Sequence, residues 1–381
     1  MKIINQQQII DSFDADSITS LLKSGFIAYS RQQVQQPPVQ HFLFEQAAGD
    51  CCIKSAWLEG DEQFVVKVSA GFYRNPAQGL ASNQGLLMAF SALTGEPQVL
   101  LLDEGWLTAL RTALAGRIAA ELCAPADIPA IGIVGCGMQA RLQLQQLKPL
   151  VACREVWVWG RSEPALQAFR HDAEAEGFRV HTTQDAAELA AYCRLIVTTT
   201  PSREPILQAA DIQPGTHITA IGADANGKQE LATDLVAKAD LLLVDALSQC
   251  ADYGEIASAY RQGLLTSKPI VEFGAVLAQG GKAAQQPAAN HYCRSYRAGD
   301  SGRTDCEGYF SAALTRFRGC GCALWDATTP QAFSTNFSMA RATPSSVLAV
   351  VTNCATAFSS GMPLPIATPT PAYSIIAVSL A

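Results

Sequence analysis

The chain is short of charge. Only 16% of its 381 residues are Asp, Glu, Lys or Arg, and the formal net charge is -7. No basic stripe stands out, which argues against a nucleic-acid partner. Apolar runs of about eighteen residues are absent, so nothing reads as a membrane span. The opening Met1-Lys2-Ile3-Ile4-Asn5-Gln6-Gln7-Gln8 lacks the apolar stretch of a signal peptide, and a cytoplasmic location is expected. Before residue 288 the cysteines Cys51, Cys52, Cys123, Cys136, Cys153, Cys193 and Cys250 form no C-x-x-C pair and have no nearby His. That spacing excludes a zinc site of ordinary pattern, and no metal is expected. These thiols read as reduced and mostly as small buried hydrophobes.

What the chain does have is apolar mass. Hydrophobic residues make up 49% of it, ample for buried cores, and its length suits two domains. Residues 1–28 carry helical spacing with a cap at Asp14 or Asp16. Over 38–103 short β-rich runs such as Phe64-Val65-Val66-Lys67-Val68 and Val99-Leu100-Leu101-Leu102 are separated by Gly, Pro and Asn. This predicts an antiparallel sheet with turns at Glu59-Gly60-Asp61 and Thr94-Gly95-Glu96. The Ala-rich stretch Leu107–Leu122 reads as a helix leading into a second domain.

From Ala130 the pattern alternates. Ile131–Val134, Val156–Trp159, Leu195–Thr199, Ile218–Ile221 and Leu241–Val244 are buried strands, with helical stretches after Ala140 and over Pro164–Glu176. Alternation of this kind implies a parallel sheet with right-handed crossovers. The first of these strands runs into Gly135-Cys136-Gly137-Met138-Gln139-Ala140, a G-x-G-x-x-A turn. Gly135 permits the tight turn, Gly137 lets backbone approach a pyrophosphate, and Ala140 lets helix and strand pack closely. The helix that follows offers free N–H groups to phosphates. Because the turn lies between a strand and a helix, and a second strand follows, it reads as a dinucleotide site. Gly135, Gly137, Met138, Gln139 and Ala140 would line that site, with Thr199 and Asp224 at neighbouring strand ends. After the second strand come Arg161 and Ser162, where an NAD-selective site usually has an acidic residue. They suit a 2′-phosphate and hence NADP; a solvated strand-end Arg is the alternative, and Glu163 keeps NAD open.

Three residues suggest chemistry. Lys67 shares a strand face with Val65 and points either into a cleft or into solvent, the pattern alone favouring solvent. Arg111 is the lone charge in Leu107-Thr108-Ala109-Leu110-Arg111-Thr112-Ala113-Leu114-Ala115, where a bound carboxylate is a natural partner. Asp224, in Gly222-Ala223-Asp224-Ala225-Asn226-Gly227-Lys228, belongs at the carboxyl end of the sheet, either facing ligand or capping its own turn.

The segments Asp103–Ala113, Gly132–Ala140 and Gly222–Leu231 together resemble the ornithine cyclodeaminase/mu-crystallin family, from the N-terminus to about residue 287. The resemblance implies an α/β fold: a Rossmann doubly wound parallel sheet over 123–287, plus an α+β substrate-binding and dimerisation domain over 1–122. It implies a homodimer that binds NAD or NADP and a small amino or imino acid. Lys67 and Arg111 would hold the substrate carboxylate, with His41 replacing an early Arg common in the family. Asp224 would be the acid/base at the reacting nitrogen, a role Lys67 could share. The stretch Gly49–Ala56 is similar to that of Δ1-pyrroline-2-carboxylate reductases. The expected activity is therefore NAD(P)H-dependent reduction of a small cyclic imine carboxylate. Ornithine cyclodeaminase, alanine dehydrogenase and a cofactor-binding protein without activity are the other readings.

Residues 288–381 do not fit that pattern, and 327–381 are rich in Ser, Thr, Ala and Pro. Reading Asn290–Asp300 one base later, with permitted codons, spells Ile-Thr-Ile-Ala-Asp-Leu-Thr-Gly-Leu-Ala. Ser301–Tyr309 then continues as Ile-Gln-Asp-Val-Gln-Ile-Ala-Lys-Ala-Ile, an apolar strand and helix of the family kind. This predicts a frameshifted, poorly ordered tail; a genuine tail particular to this lineage is the alternative.

Overall fold

In the computed structural model the described residues are 1–280, apart from 226 and 253, and the strand Tyr373–Ala377. They divide into two compact units. One is drawn from Met1–Leu21 and Gln33–Thr108, the other from Leu22–Gln32 and the described residues from Ala109 on.

The first unit holds β1 (Lys2–Asn5), α1 (Gln6–Asp11) and the opening turns of α2 (Ala15–Ser30). It continues with β2 (Val34–Gln35), β3 (Gln40–Phe44), β4 (Gly49–Leu58), β5 (Gln63–Phe72), β6 (Asn83–Ser91) and β7 (Pro97–Leu102). These make a seven-stranded sheet in the order β1-β7-β6-β5-β4-β2, with β3 also paired to β4. The turns expected around Gly60 and Gly95 join β4 to β5 and β6 to β7. The expectation of helix from the first residue needs correction. Lys2–Asn5 pairs in parallel with Val99–Leu102 as an edge strand, because ladder bonds to β7 outweigh weak local helical spacing. Asn5 then caps α1 in a capping box with Gln8. Asp14 caps α2 by accepting from the Ser17 N–H at 3.0 Å, and the Ser17 bonds hold its carboxyl below the ordinary range.

The second unit takes the rest of α2 and most of α3 (Trp106–Cys123). Then follow β8 (Ile131–Val134), α4 (Met138–Leu147), β9 (Glu155–Trp159), α5 (Glu163–Ala175), β10 (Arg179–Thr183), α6 (Ala186–Tyr192), β11 (Leu195–Thr198) and β12 (Thr216–Ala220). After these come α7 (Thr233–Lys238), β13 (Leu241–Val244), α8 (Leu247–Cys250), α9 (Ala257–Arg261), β14 (Ile270–Glu272), α10 (Phe273–Ala278) and β15 (Tyr373–Ala377). The sheet order is β10-β9-β8-β11-β12-β15-β13-β14, and every pairing is parallel. The strand order reverses between β8 and β11, which opens the crevice that ligands use in doubly wound sheets. Ile131, Ile133, Ile196, Ile218 and Leu243 are fully buried, as expected for a parallel sheet covered on both faces. Of the segment 288–381, only β15 lies among the described residues. The frameshift reading of 290–309 concerns residues outside them.

Candidate functional site

The G-x-G-x-x-A turn joins β8 to α4. Gly135 has φ +118°, and a Cβ there would sit 2.6 Å from the Thr199 Oγ1. Gly137 is different. It precedes α4 in extended conformation with no side-chain cap bond, and an added Cβ would meet nothing within 4 Å. A space free of protein atoms in front of uncapped helical N–H groups fits a pyrophosphate. The turn's carbonyls are spent elsewhere: the Arg141 guanidinium donates to the Cys136 oxygen and, at 3.3 Å, to that of Gly137. Ala140 is fully buried. The Gln139 side chain donates to the Ala109 carbonyl of α3 at 2.8 Å. Met138 is exposed. The Thr199 hydroxyl donates to the Val134 carbonyl at 3.1 Å, tying the end of β11 to the start of the turn. Arg161 and Ser162 are exposed beyond β9, and Ser162 precedes α5 without a side-chain cap bond, so its hydroxyl is not spent on the helix.

The loop after β12 carries Asp224, which is exposed and ion-paired with Lys228. Glu230 ends that loop and is fully buried. Its Oε1 accepts the Thr200 N–H at 2.6 Å and the Thr200 hydroxyl at 2.7 Å. Its Oε2 accepts the Thr198 hydroxyl at 2.6 Å and the Gly222 N–H at 2.9 Å. Behind it the buried Glu255 accepts the N–H groups of Glu230 at 2.6 Å and Leu231 at 2.8 Å. Burial pushes Glu230 up to about 7, and burial with the Glu230 charge pushes Glu255 up to about 8. Four donors saturate the lone pairs of Glu230, whereas Glu255 has one per oxygen, so the proton they retain belongs on Glu255.

In the first unit the burial of Lys67 removes the solvent-facing alternative. It is only 8% exposed, because the β5 face bearing Gln63, Val65 and Lys67 is the buried one. Directly opposite on β4 stands Lys54, 6% exposed. Sequence reasoning gave Lys54 no role: it lies between Ile53 and Ser55, and only the pairing of β4 with β5 sets it opposite Lys67. The Asp103 carboxylate accepts from the Leu107 N–H at 2.9 Å. Burial raises its pKa, opposed by that bond and by the charge of Lys67. His41 lies exposed on β3 opposite Cys52. Arg111, in the second unit, is buried, as expected for the lone charge of the stretch Leu107–Ala115. Thr198, Thr200, Glu230 and Glu255 were not singled out by the sequence; an isolated Glu before Leu231-Ala232 was their only signal.

A doubly wound sheet with an open phosphate turn, and a carboxylate on the loop two strands away, defines a dinucleotide-dependent enzyme. The chain belongs to the ornithine cyclodeaminase/mu-crystallin family, which it matches over residues 2–288. It is 34% identical over 283 residues to an uncharacterised cyclodeaminase of Sinorhizobium fredii, covering 73% of this chain and 85% of that one. Identity to the alanine dehydrogenase of Archaeoglobus fulgidus is also 34%, over 263 residues, 69% and 79% of the two chains. A Δ1-pyrroline-2-carboxylate reductase of Bacillus cereus is 27% identical over 261 residues, 68% and 79% of the chains. Among solved structures, an archaeal alanine dehydrogenase dimer with bound NAD superposes with a TM-score of 0.67 at 31% identity, covering 74% of this chain and 86% of that one. The iminosuccinate reductase of Paracoccus denitrificans in complex with NAD+ gives 0.66 at 25% identity, with 74% and 88% covered. The chain is accordingly an NAD(P)-binding oxidoreductase or lyase of this family. Among the described residues no helix is long and apolar enough to cross a membrane.

Proposed function

We propose that the protein is an NAD(P)H-dependent reductase of a small imine carboxylate, of the Δ1-pyrroline-2-carboxylate type. The observation that carries this reading is the placement of Asp224 on the loop after β12. That strand lies two away in the sheet from β8, which opens the phosphate turn. When bound, the reduced nicotinamide supplies a hydride to the C=N carbon. Asp224 is the acid that gives the nitrogen its proton, so imine plus hydride plus proton becomes amine. The buried cations Lys67 and Arg111 hold the substrate carboxylate, and His41 assists on the edge of the sheet. Arg161 and Ser162 take a 2′-phosphate, so NADPH is the favoured cofactor; the NAD-bound neighbours make NADH the comparison to run.

The assay is consumption of each reduced cofactor with Δ1-pyrroline-2-carboxylate. Turnover supports the reading. Ammonia release from ornithine with catalytic NAD+ would replace it with a cyclodeaminase. Reversible oxidation of alanine would replace it with an alanine dehydrogenase, the reading favoured by the 34% identity to such an enzyme. Cofactor binding without any turnover would mark a protein that has lost its activity.

The protein is further proposed to be a homodimer, as the alanine dehydrogenase neighbour is named. The β3 residues Phe42, Leu43 and Phe44 are exposed in the first unit, an apolar strip suited to a second copy. Light scattering on the purified chain decides this: a monomer at micromolar concentration sinks it. A cytoplasmic location is proposed as well, on the spacing of the cysteines before residue 288, which forms no C-x-x-C pair.

A further inference from the structure

Glu230 has no place in the chemistry above, yet it joins the two loops on which that chemistry depends. Its oxygens take one backbone N–H each, from Thr200 on one side and from Gly222 on the other. Those N–H groups are fixed donors, unlike the hydroxyls of Thr198 and Thr200, which can rotate. A glutamine in this position would satisfy only one of them, because its amide nitrogen would face the other N–H. Only a side chain with two acceptor oxygens meets the demand. Gly222 is shaped to the same contact. A Cβ there would lie 2.2 Å from the Thr200 carbonyl oxygen and 2.5 Å from the Glu230 Oε2. Through Thr199 and Val134 the connection continues to Gly135 and the phosphate turn.

We propose that Glu230 is a positioning residue: its carboxylate fixes the Asp224 loop against the cofactor-side end of β11, and Glu255 fixes the backbone from which it reaches. The proposal rests on the assignment of Asp224 as the proton donor. Its charge state agrees, since four donors stabilise the anion on Glu230 while Glu255 keeps the proton. Two buried carboxyl groups side by side are costly to a fold and are seldom retained for packing alone.

The test compares the full-length wild type with Glu230→Gln and Thr200→Val. Hydrogen–deuterium exchange reads the loops at 198–202 and 220–225, nicotinamide fluorescence reads cofactor affinity, and steady-state kinetics reads turnover of Δ1-pyrroline-2-carboxylate. In Glu230→Gln, exchange in both loops should rise about tenfold while the central strands stay protected. Cofactor affinity should hold within about twofold, and kcat should fall roughly tenfold to a hundredfold with little change in KM, as misplacement of a reacting group requires. Thr200→Val loses one hydroxyl donor but keeps the N–H, so it should move the same readouts by less. If Glu230→Gln fails to fold, Thr200→Val alone decides. Unchanged exchange overturns the proposal, as does a lowered thermal midpoint with kcat intact. Should the wild type turn over none of the imine substrates, the assignment of function fails by itself, and loop exchange still judges Glu230.

Discussion

Gly135 and Gly137 stand two residues apart under opposite constraints. Gly135 adopts a left-handed conformation and abuts Thr199, so Gly135→Ala stresses the protein itself. A cost of ~1–3 kcal/mol is expected, visible as a thermal midpoint several degrees lower even without cofactor. At Gly137 a methyl group meets no protein atom. Gly137→Ala should leave the midpoint within about one degree and weaken cofactor binding by roughly tenfold or more, because the methyl occupies the space a pyrophosphate needs. Equal loss of stability in the two variants would show that the space in front of Gly137 is not a phosphate site. Asp224 gives the complementary outcome. Asp224→Asn should retain cofactor affinity and lose about two to four orders of magnitude in kcat, the usual worth of a general acid; near-normal turnover would move the proton to Lys67. At this scale the sequence was informative wherever local geometry sets the requirement. The glycines were legible because a turn and a close approach demand them. Burial of Lys67 was not, because strand alternation names two faces without saying which one is covered.

The elements of the second unit were legible where they are apolar throughout. Ile131–Val134 and Leu241–Val244 emerge with the bounds their sequence suggests, since a strand covered on both faces can carry little else. Arg179–Thr183 was missed: it is an edge strand of polar character, alternately exposed, so its sequence bears no burial signal. The link from Glu230 to Thr198, Thr200 and Gly222 was equally hidden, because it joins residues up to 32 positions apart that only sheet pairing brings together. That link has a measurable signature in pH. Glu255 moves from an ordinary value of 4.5 to about 8 in the fold, so the folded state binds a proton that the unfolded state releases. Its contribution is fully present below about 4.5 and is lost as pH rises towards 8. Buried His217 acts oppositely and lower down, since burial brings it to about 3 and its penalty grows as pH falls below its ordinary value. The thermal midpoint should therefore decline between pH 6.5 and 8.5, and Glu255→Gln, which cannot titrate, should flatten that decline while starting from a lower midpoint. A slope identical in wild type and variant would remove Glu255 as its source.

For the molecule as a whole, the decisive feature is the position of β15 between β12 and β13. Sheet strands lie about 4.8 Å apart, so β12 and β13 stand roughly 10 Å from each other and cannot pair directly. Both are buried, and both direct one edge of their ladder to Tyr373–Ala377. Without β15 those N–H and C=O groups would lose their partners inside the unit, where each unmade bond costs about 1–3 kcal/mol. The family match ends at residue 288, so this slot is filled by chain from beyond the matched region. Ending the chain at residue 368 should lower the thermal midpoint by roughly ten degrees or more and weaken cofactor binding, because β8, β11 and β12 share one sheet with the slot. A truncated chain that melts within about two degrees of the full one would show that β15 adds nothing to the fold. The frameshift reading supplies the converse experiment. The run Ile-Thr-Ile-Ala, read one base on from Asn290, has the β-branched character suited to the same slot. A chain carrying that restored frame should melt higher than the present one and turn over faster. Equal stability and turnover in the two chains, or gene codons that do not yield the run, would establish the present C-terminal sequence as the native solution.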